Sequence, residues 1–340
     1  CLTGINGAGK TNVIDAFHYL SMCKSSLTMT DAKCVMDGGD FIVAEGEYES
    51  DGGRREAVLC TFRKGSGKTF KRNGKEYDKL SDHIGLVPIV IVSPADAFLI
   101  SDPAEERRRY LNAFLSQPDR GYLPAMSRYN HILGERNRLL KQDHYGSSGE
   151  IMEILDMQLA EAGRTIHALR AEIVEELGPL VAEYYKVLSD DREQIELSYN
   201  SELNDTPMEE LLVAAAGKDR ECRFTTSGIH RDDLRMRIGG HPLRKYGSQG
   251  QQKSFLVALK LAQYAIVAKR IGEKPLLLLD DIFDKLDLER VARLLSLVSG
   301  DDFGQIFITD CNRSRLEEVL DGGGYGYKLF EVEGGEVSTL

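Results

Sequence analysis

The chain has 340 residues, enough to bury a core without staples, and its six cysteines (Cys1, Cys23, Cys34, Cys60, Cys222, Cys311) form no C-x-x-C pair or His/Cys ligand spacing. That pattern argues against a disulfide framework and a zinc centre. The net charge of -11 argues against a protein that coats nucleic acid over its whole surface, and no run approaches the ~18 apolar residues of a membrane span, so a cytoplasmic protein without membrane partners is expected.

The first three residues lead directly into a glycine-rich loop, where a complete strand is expected, so further chain upstream is anticipated. Residues 11–22 predict a helix. Residues 41–77 alternate in short β-rich pieces broken at Gly52-Gly53, Gly65-Ser66-Gly67 and Asn73-Gly74, which predicts an antiparallel meander. Between Arg54 and Lys79 nine basic residues face three acidic ones, a local excess suited to phosphate contact. Residues 88–92 (PIVIV) predict a buried strand closed by Ser93-Pro94.

From residue 104 to 188 Glu, Arg, Leu, Ala and Lys dominate, interrupted at Gly146-Ser147-Ser148-Gly149. The second arm places Ile154, Leu155, Leu159, Ala162, Ile166, Leu169, Ile173 and Leu177 mostly three or four apart, predicting a packed helical hairpin. Strand-like pieces return at 193–199 and 235–238. A helix over 248–270, a strand at 275–280, a helix at 288–298 and a strand at 305–309 then resume an α/β sheet. The expected division is an N-terminal part at 1–103, an inserted helical lobe at 104–190 and a C-terminal part at 191–340.

Three motifs carry chemistry. Gly4-Ile5-Asn6-Gly7-Ala8-Gly9-Lys10-Thr11 matches G-x-x-x-x-G-K-[ST]. Glycines let backbone N–H groups close around phosphate, a helix N-terminus favours the anion, Lys10 reaches the β- and γ-phosphates, and Thr11 ligates magnesium. Asn6, Gly7, Ala8, Gly9, Lys10, Thr11 and Asn12 are therefore the candidate ATP cradle. Leu276 to Leu279 followed by Asp280-Asp281 is an apolar strand ending in two carboxylates, with Asp280 a candidate for the Mg2+ shell and Asp281 for orienting the attacking water. Tyr246-Gly247-Ser248-Gln249-Gly250-Gln251-Gln252-Lys253 opens a helix, with Ser248 and Gln251 spaced as a capping box. A helix start of this kind ahead of such a strand is how cassette ATPases build the half of the site that meets nucleotide held by a second subunit. Ser248, Gly250 and Gln251 are its candidates. By the same residue types, Arg107-Arg108-Arg109 is open between DNA phosphate contact and a self-paired face, and His230-Arg231 reads as a loop anchor.

The loop, SQGQQK and LLLLDD segments, with Lys285-Leu286-Asp287 after them, resemble the SMC-like branch of cassette ATPases. The resemblance implies an α/β fold: a P-loop, ABC-type ATPase head of mixed sheet plus antiparallel β subdomain, with an inserted α-helical lobe. Ser93-Pro94-Ala95-Asp96 leading to Pro103 through Leu111, Gly228-Ile229-His230-Arg231-Asp232-Asp233-Leu234, and the stretch 129–140 are similar to the RecF family in particular. Ile229 stands where that family's segment has proline, no Q-loop is assignable between Lys24 and Ser93, and Thr309 or Asp310 takes the post-strand switch position. The family likeness implies ATP and Mg2+ as cofactors and an ATP-dependent homodimer on single-stranded, duplex or gapped DNA, and Asp281, one methylene shorter than the Glu of many cassette ATPases, predicts slow hydrolysis. It also implies RecR and RecA as partners in loading RecA at gaps, and support of the SOS response. Two rivals are an SMC-type protein of other DNA metabolism, whose coiled-coil arms do not fit between Lys10 and Ser248, and a transporter ATPase subunit, disfavoured by the helical insertion.

Overall fold

The computed structural model describes residues 1–28, 30–142, 149–189, 191, 193–281 and 287–340. In chain order it begins with β1 (Leu2–Thr3), α1 (Lys10–Met22), β2 (Phe41–Glu49), β3 (Arg55–Arg63), β4 (Gly67–Arg72), β5 (Lys75–Glu76) and β6 (Ile89–Val92). Next come α2 (Phe98–Ser101), α3 (Ala104–Ser116), α4 (Tyr122–Gln142), α5 (Gly149–Ser189), β7 (Ile195–Asn200), α6 (Met208–Cys222), β8 (Asp233–Ile238), β9 (His241–Pro242) and α7 (Leu243–Tyr246). The chain ends with α8 (Gln249–Ile271), β10 (Leu276–Leu279), α9 (Leu288–Val298), β11 (Ile306–Asp310), α10 (Arg313–Gly322), β12 (Phe330–Glu333) and β13 (Glu336–Thr339). The expected interruption at 146–148 and the residues Lys285 and Leu286 lie outside the described residues.

Two compact units emerge. The first comprises Cys1–Ala97, Leu180–Glu193 and Gly247–Leu340, and the second Phe98–Pro179 and Gln194–Tyr246. Residues 194–246, expected with the C-terminal part, cluster with the helices. The reason is pairwise: β8 packs on α3, and Arg107 on α3 grips Asp233 at 2.5 Å.

The first unit holds a six-stranded sheet in the order β13-β12-β1-β11-β10-β6, parallel except for the β12-β13 hairpin. Strand β10 lies between β6 and β11, and its Leu277, Leu278 and Leu279 are fully buried, so a continuous leucine run suits a strand covered on both faces. Helix α8 buries residues from Ser254 through Gln263 without a break, as a helix inside a core does. It stops at Gly272, whose φ of 79° forms the left-handed cap and whose N–H donates to Ala268 O at 2.8 Å.

The meander forms a separate sheet, β2-β3-β4-β5, antiparallel throughout. Asn73 and Gly74, at φ 50° and 81°, make its two-residue turn, the geometry that matches the right-handed strand twist. Val58, Cys60 and Phe70 from this sheet pack with Tyr19, Leu20 and Cys23 at the end of α1, which anchors the helix that follows the glycine loop.

The second unit joins α3, α4 and most of α5 to a small sheet, β7-β8-β9. Buried charge knits it. Arg136 binds Asp156 and Asp219, each at 2.6 Å. Arg170 binds Asp232 at 3.1 Å and also donates to Ile229 O, Asn112 and the Tyr122 hydroxyl. Such ions are tolerated only when paired and fully hydrogen-bonded.

Candidate nucleotide site

The glycine loop leaves β1 at Gly4 (φ 153°) and enters α1 through Gly9 (φ 110°). A Cβ on Gly4 would stand 2.3 Å from Val332 O, so only glycine fits there. The turn between β12 and β13 also braces the loop, with Gly335 N donating to Ala8 O at 2.9 Å. The first helical bond of α1 runs from Val13 N to Gly9 O at 3.1 Å. The N–H groups of Lys10, Thr11 and Asn12 thus have no intrahelical acceptor, which makes this end an anion cradle. Asn6 and Gly7 are exposed at the loop crest, and Ala8 is buried beneath it. Lys10 is buried and folds under the loop, donating to Gly4 O at 2.6 Å and Ile5 O at 3.0 Å.

Asp280 ends β10 at the same sheet edge. Its N–H donates to Val92 O at 2.8 Å, extending the β6-β10 ladder by one residue. Its carboxylate Oδ1 accepts from Thr11 Oγ1 at 3.3 Å and from Thr309 Oγ1 at 2.7 Å. Thr309 in turn accepts from Asp281 N at 2.9 Å. Asp281 has a left-handed backbone, φ 48°, a conformation Asp tolerates in turns. Thr11, Asp280, Thr309 and Asp281 are therefore one bonded group built from α1, β10 and β11. Two hard oxygens, from Thr11 and Asp280, beside a lysine-bearing loop suit magnesium. No group of three or more His, Cys, Asp or Glu that could hold a metal ion occurs among the described residues.

Ser248 caps α8. Its Oγ accepts from Gln251 N at 3.3 Å, and its N–H donates to Gln251 Oε1 at 2.7 Å, completing the capping box. The Gln251 amide continues to Glu193 at 2.8 Å. Ser248 is exposed and Gly250 half-buried. Among the described residues no hydrogen bond links Ser248, Gly250 or Gln251 to the glycine loop or to Asp280. The two halves of the expected site are thus both formed within the first unit but not joined to each other there.

Three supports escaped the sequence reading. Lys260, in the buried stretch of α8, pairs with Asp96 at 2.8 Å, and Asp96 caps the turn after β6 by accepting from Ser93 N at 2.8 Å. A lysine within an apolar helix signals a buried partner, though not which one. Arg290 lies against the first turn of α8, donating to Ser254 at 3.2 Å and pairing with Asp287 at 3.3 Å. Arg315 holds the buried Asp310 at 2.7 Å, so Asp310 at the end of β11 is a structural anchor.

Other candidates resolve into anchors. Arg107 pairs with Asp233, Arg108 donates to Asp232 O at 2.8 Å, and Arg109 pairs with Glu105 and Glu106. His230 Nε2 donates to Thr225 O at 3.0 Å and its Nδ1 accepts from the Tyr129 hydroxyl at 2.9 Å. Six of the nine cations on the meander are engaged within the first unit, among them Arg72 on Glu56, Lys68 on Asp31 and Arg54 on Glu273.

No family model matches the chain. A curated relative from Parabacteroides distasonis, the DNA replication and repair protein RecF, is 47% identical over 340 residues, covering 100% of this chain and 92% of the relative. The same protein from Bacteroides thetaiotaomicron is 45% identical over 341 residues, with the same coverages. A solved structure of the recombination mediator protein RecF with ATP, in the RecFOR pathway, superposes with a TM-score of 0.89 at 30% identity, covering 100% of this chain and 90% of that one. An Smc head domain from Pyrococcus furiosus matches at a TM-score of 0.54 and 14% identity, a likeness of fold, which is that of ABC-type ATPase heads. No described helix is long and apolar enough to cross a membrane.

Proposed function

The chain belongs to the RecF family of DNA replication and repair proteins, and from that premise we propose that it is an ATP-dependent DNA-binding switch that dimerises around nucleotide. The observation that carries the reading is the bonded group Thr11-Asp280-Thr309-Asp281 beside the Lys10 loop. A loop and helix end that present unpaired N–H groups, a lysine and a hydroxyl-carboxylate pair are the parts phosphoryl transfer requires, since that chemistry is mostly positioning and charge stabilisation.

In this reading residues 6 to 12 cradle the phosphates. Lys10 exchanges its loop carbonyls for phosphate oxygens, and Thr11 and Asp280 hold magnesium, whose charge neutralises the phosphates. Thr309 fixes the carboxylate of Asp280, and Asp281 orients the attacking water. Ser248 and Gly250 present the N-terminus of α8 to nucleotide on a second copy, while Gln251 acts through Ser248 as its cap. Hydrolysis releases the pair and is slow. Family membership and the RecFOR assignment of the solved relative support a role at gapped DNA in the cytoplasm, with RecR and RecA as partners in RecA loading and the SOS response.

The test is molecular mass by ultracentrifugation with and without ATP and magnesium. The mass is expected to double with both present, and Ser248→Arg to remain single while still binding ATP. Unimpaired doubling in Ser248→Arg would remove the α8 end from the interface and overturn the shared site.

A further inference from the structure

The small sheet of the second unit carries a surface that the nucleotide site does not use. In a chain of net charge -11, the stretch between Asp233 and Glu273 contains no acidic residue and eight Lys or Arg. Four of these cluster on β8 and α7. Arg235 and Arg237 share one face of β8 by strand alternation, while Leu234, Met236 and Ile238 are buried on the other. Helix α7 packs on β8 and β9 through the fully buried Leu243, leaving Arg244, Lys245 and Tyr246 exposed. None of the four cations has an ion-pair partner within 4 Å among the described residues.

An aromatic platform adjoins them. The His241 ring on β9 stacks on Tyr246, with centroids 4.6 Å apart and planes 28° apart, and Tyr246 remains 63% exposed. Acidic neighbours are few. Asp233, on the same face of β8, is held by Arg107, and Glu196 of β7 stands opposite Arg237 in the ladder. On the meander of the first unit, by contrast, six of the nine cations are engaged, and among the described residues Lys71, Lys75 and Lys79 have no ion pair.

We infer that Arg235, Arg237, Arg244 and Lys245, with Tyr246 stacked on His241, form a binding surface for single-stranded nucleic acid. Unpaired guanidinium and ammonium groups neutralise backbone phosphates. An exposed ring backed by a second ring offers a face on which an unstacked base lies, and duplex DNA has no such base to offer. The inference rests on the DNA-binding reading above and deepens it by naming the surface and the form of strand.

The full chain with ATP and magnesium is titrated against a labelled oligo-dT strand and a labelled duplex, by fluorescence anisotropy across a salt series. Arg235→Ala/Arg237→Ala and Arg244→Ala/Lys245→Ala are expected to weaken single-strand binding and to lower the slope of log affinity against log salt by about one per cation removed. Their lysine or arginine counterparts, such as Arg235→Lys/Arg237→Lys, should restore the slope. Tyr246→Ala should lose about tenfold on the single strand with its salt slope intact, and Tyr246→Phe should lose little. Lys71→Ala/Lys75→Ala/Lys79→Ala should bind as the parent does. Parental affinity in the β8, α7 and Tyr246 variants overturns this surface and leaves the DNA-binding function standing. Equal losses on both strand forms with Tyr246→Ala silent overturn the single-strand assignment, and a parent that binds neither strand overturns the DNA-binding function itself.

Discussion

Gly250 stands in the first turn of α8, where an added Cβ would lie 2.7 Å from Arg290 Nη1. The residue to be displaced is the end of a flexible side chain, and alanine is the better helix former by about 0.5–1 kcal/mol. Gly250→Ala should therefore leave urea stability unchanged or slightly raised, yet weaken ATP-dependent dimerisation at least tenfold by crowding the helix end proposed to face nucleotide. Loss of both properties together would make Gly250 a folding residue only. Three histidines, His18, His83 and His230, have pKa values lowered by burial and predict a pH dependence. His83, fully buried, donates from Nε2 to Leu20 O at 2.6 Å and accepts at Nδ1 from the Tyr77 hydroxyl at 3.2 Å, and His230 makes the same pair of bonds with Thr225 O and Tyr129. The unfolded chain then binds protons that the fold refuses, so their contribution is full above the unfolded value of about 6.5 and shrinks as pH falls below it. The urea midpoint should drop between pH 7 and pH 5, and His83→Gln should flatten that drop; a flat profile in the parent would contradict it.

Helix α5 is tied to the turn before β8 by Arg170 and Asp232, whose side chains are each 1% exposed. Burial pushes the Asp232 carboxyl up, while the Tyr199 hydroxyl and Arg170 pull it back. Arg170→Met leaves an uncompensated buried carboxylate, a loss of about 3–5 kcal/mol, and urea unfolding followed by tyrosine fluorescence should register it. A loss under 1 kcal/mol would mean that water replaces the arginine. The pair also shows where sequence legibility ends. Strands β6, β10 and β11 and helix α8 were readable because each is a local apolar run. Helix α6 was not, since its buried stripe of Met208, Leu212 and Ala215 ends in Asp219, an acid that reads as solvent-facing until Arg136 is placed against it. The β12-β13 hairpin escaped although Phe330 and Val332 alternate with Glu331 and Glu333 and Gly334 and Gly335, at φ 57° and 86°, mark its turn, because its strands are only four residues each and β13 is exposed throughout. The glycine loop and Asp280 were legible from fixed spacing. Thr309 as the bridge, Asp96 under Lys260 and Arg290 under Gly250 depend on strand order and on partners far away in sequence, which no local pattern carries.

At the scale of the molecule, Thr11 and Thr309 hold the Asp280 carboxylate within the first unit, while among the described residues the α8 end makes no hydrogen bond to that group. Under the proposed function, one copy would bind nucleotide and a second copy would complete the charge clamp, which would tie ATP hydrolysis to assembly and release. Asp281 follows Asp280 where a glutamate, longer by one methylene, would reach further, and a misplacement of about 1 Å lowers a rate around 10²-fold. Turnover of the parent should stay below the median enzyme rate of roughly 10 per second, with DNA present or absent. Asp281→Asn should still dimerise with ATP and magnesium but dissociate far more slowly, because the step that ends the assembled state has been removed. Dimer lifetime is read by dilution into excess unlabelled protein, and phosphate release is followed in parallel. If Asp281→Asn dimers fall apart at the parental rate while hydrolysis is abolished, release is set by nucleotide exchange rather than by chemistry, and the switch runs on ATP binding alone.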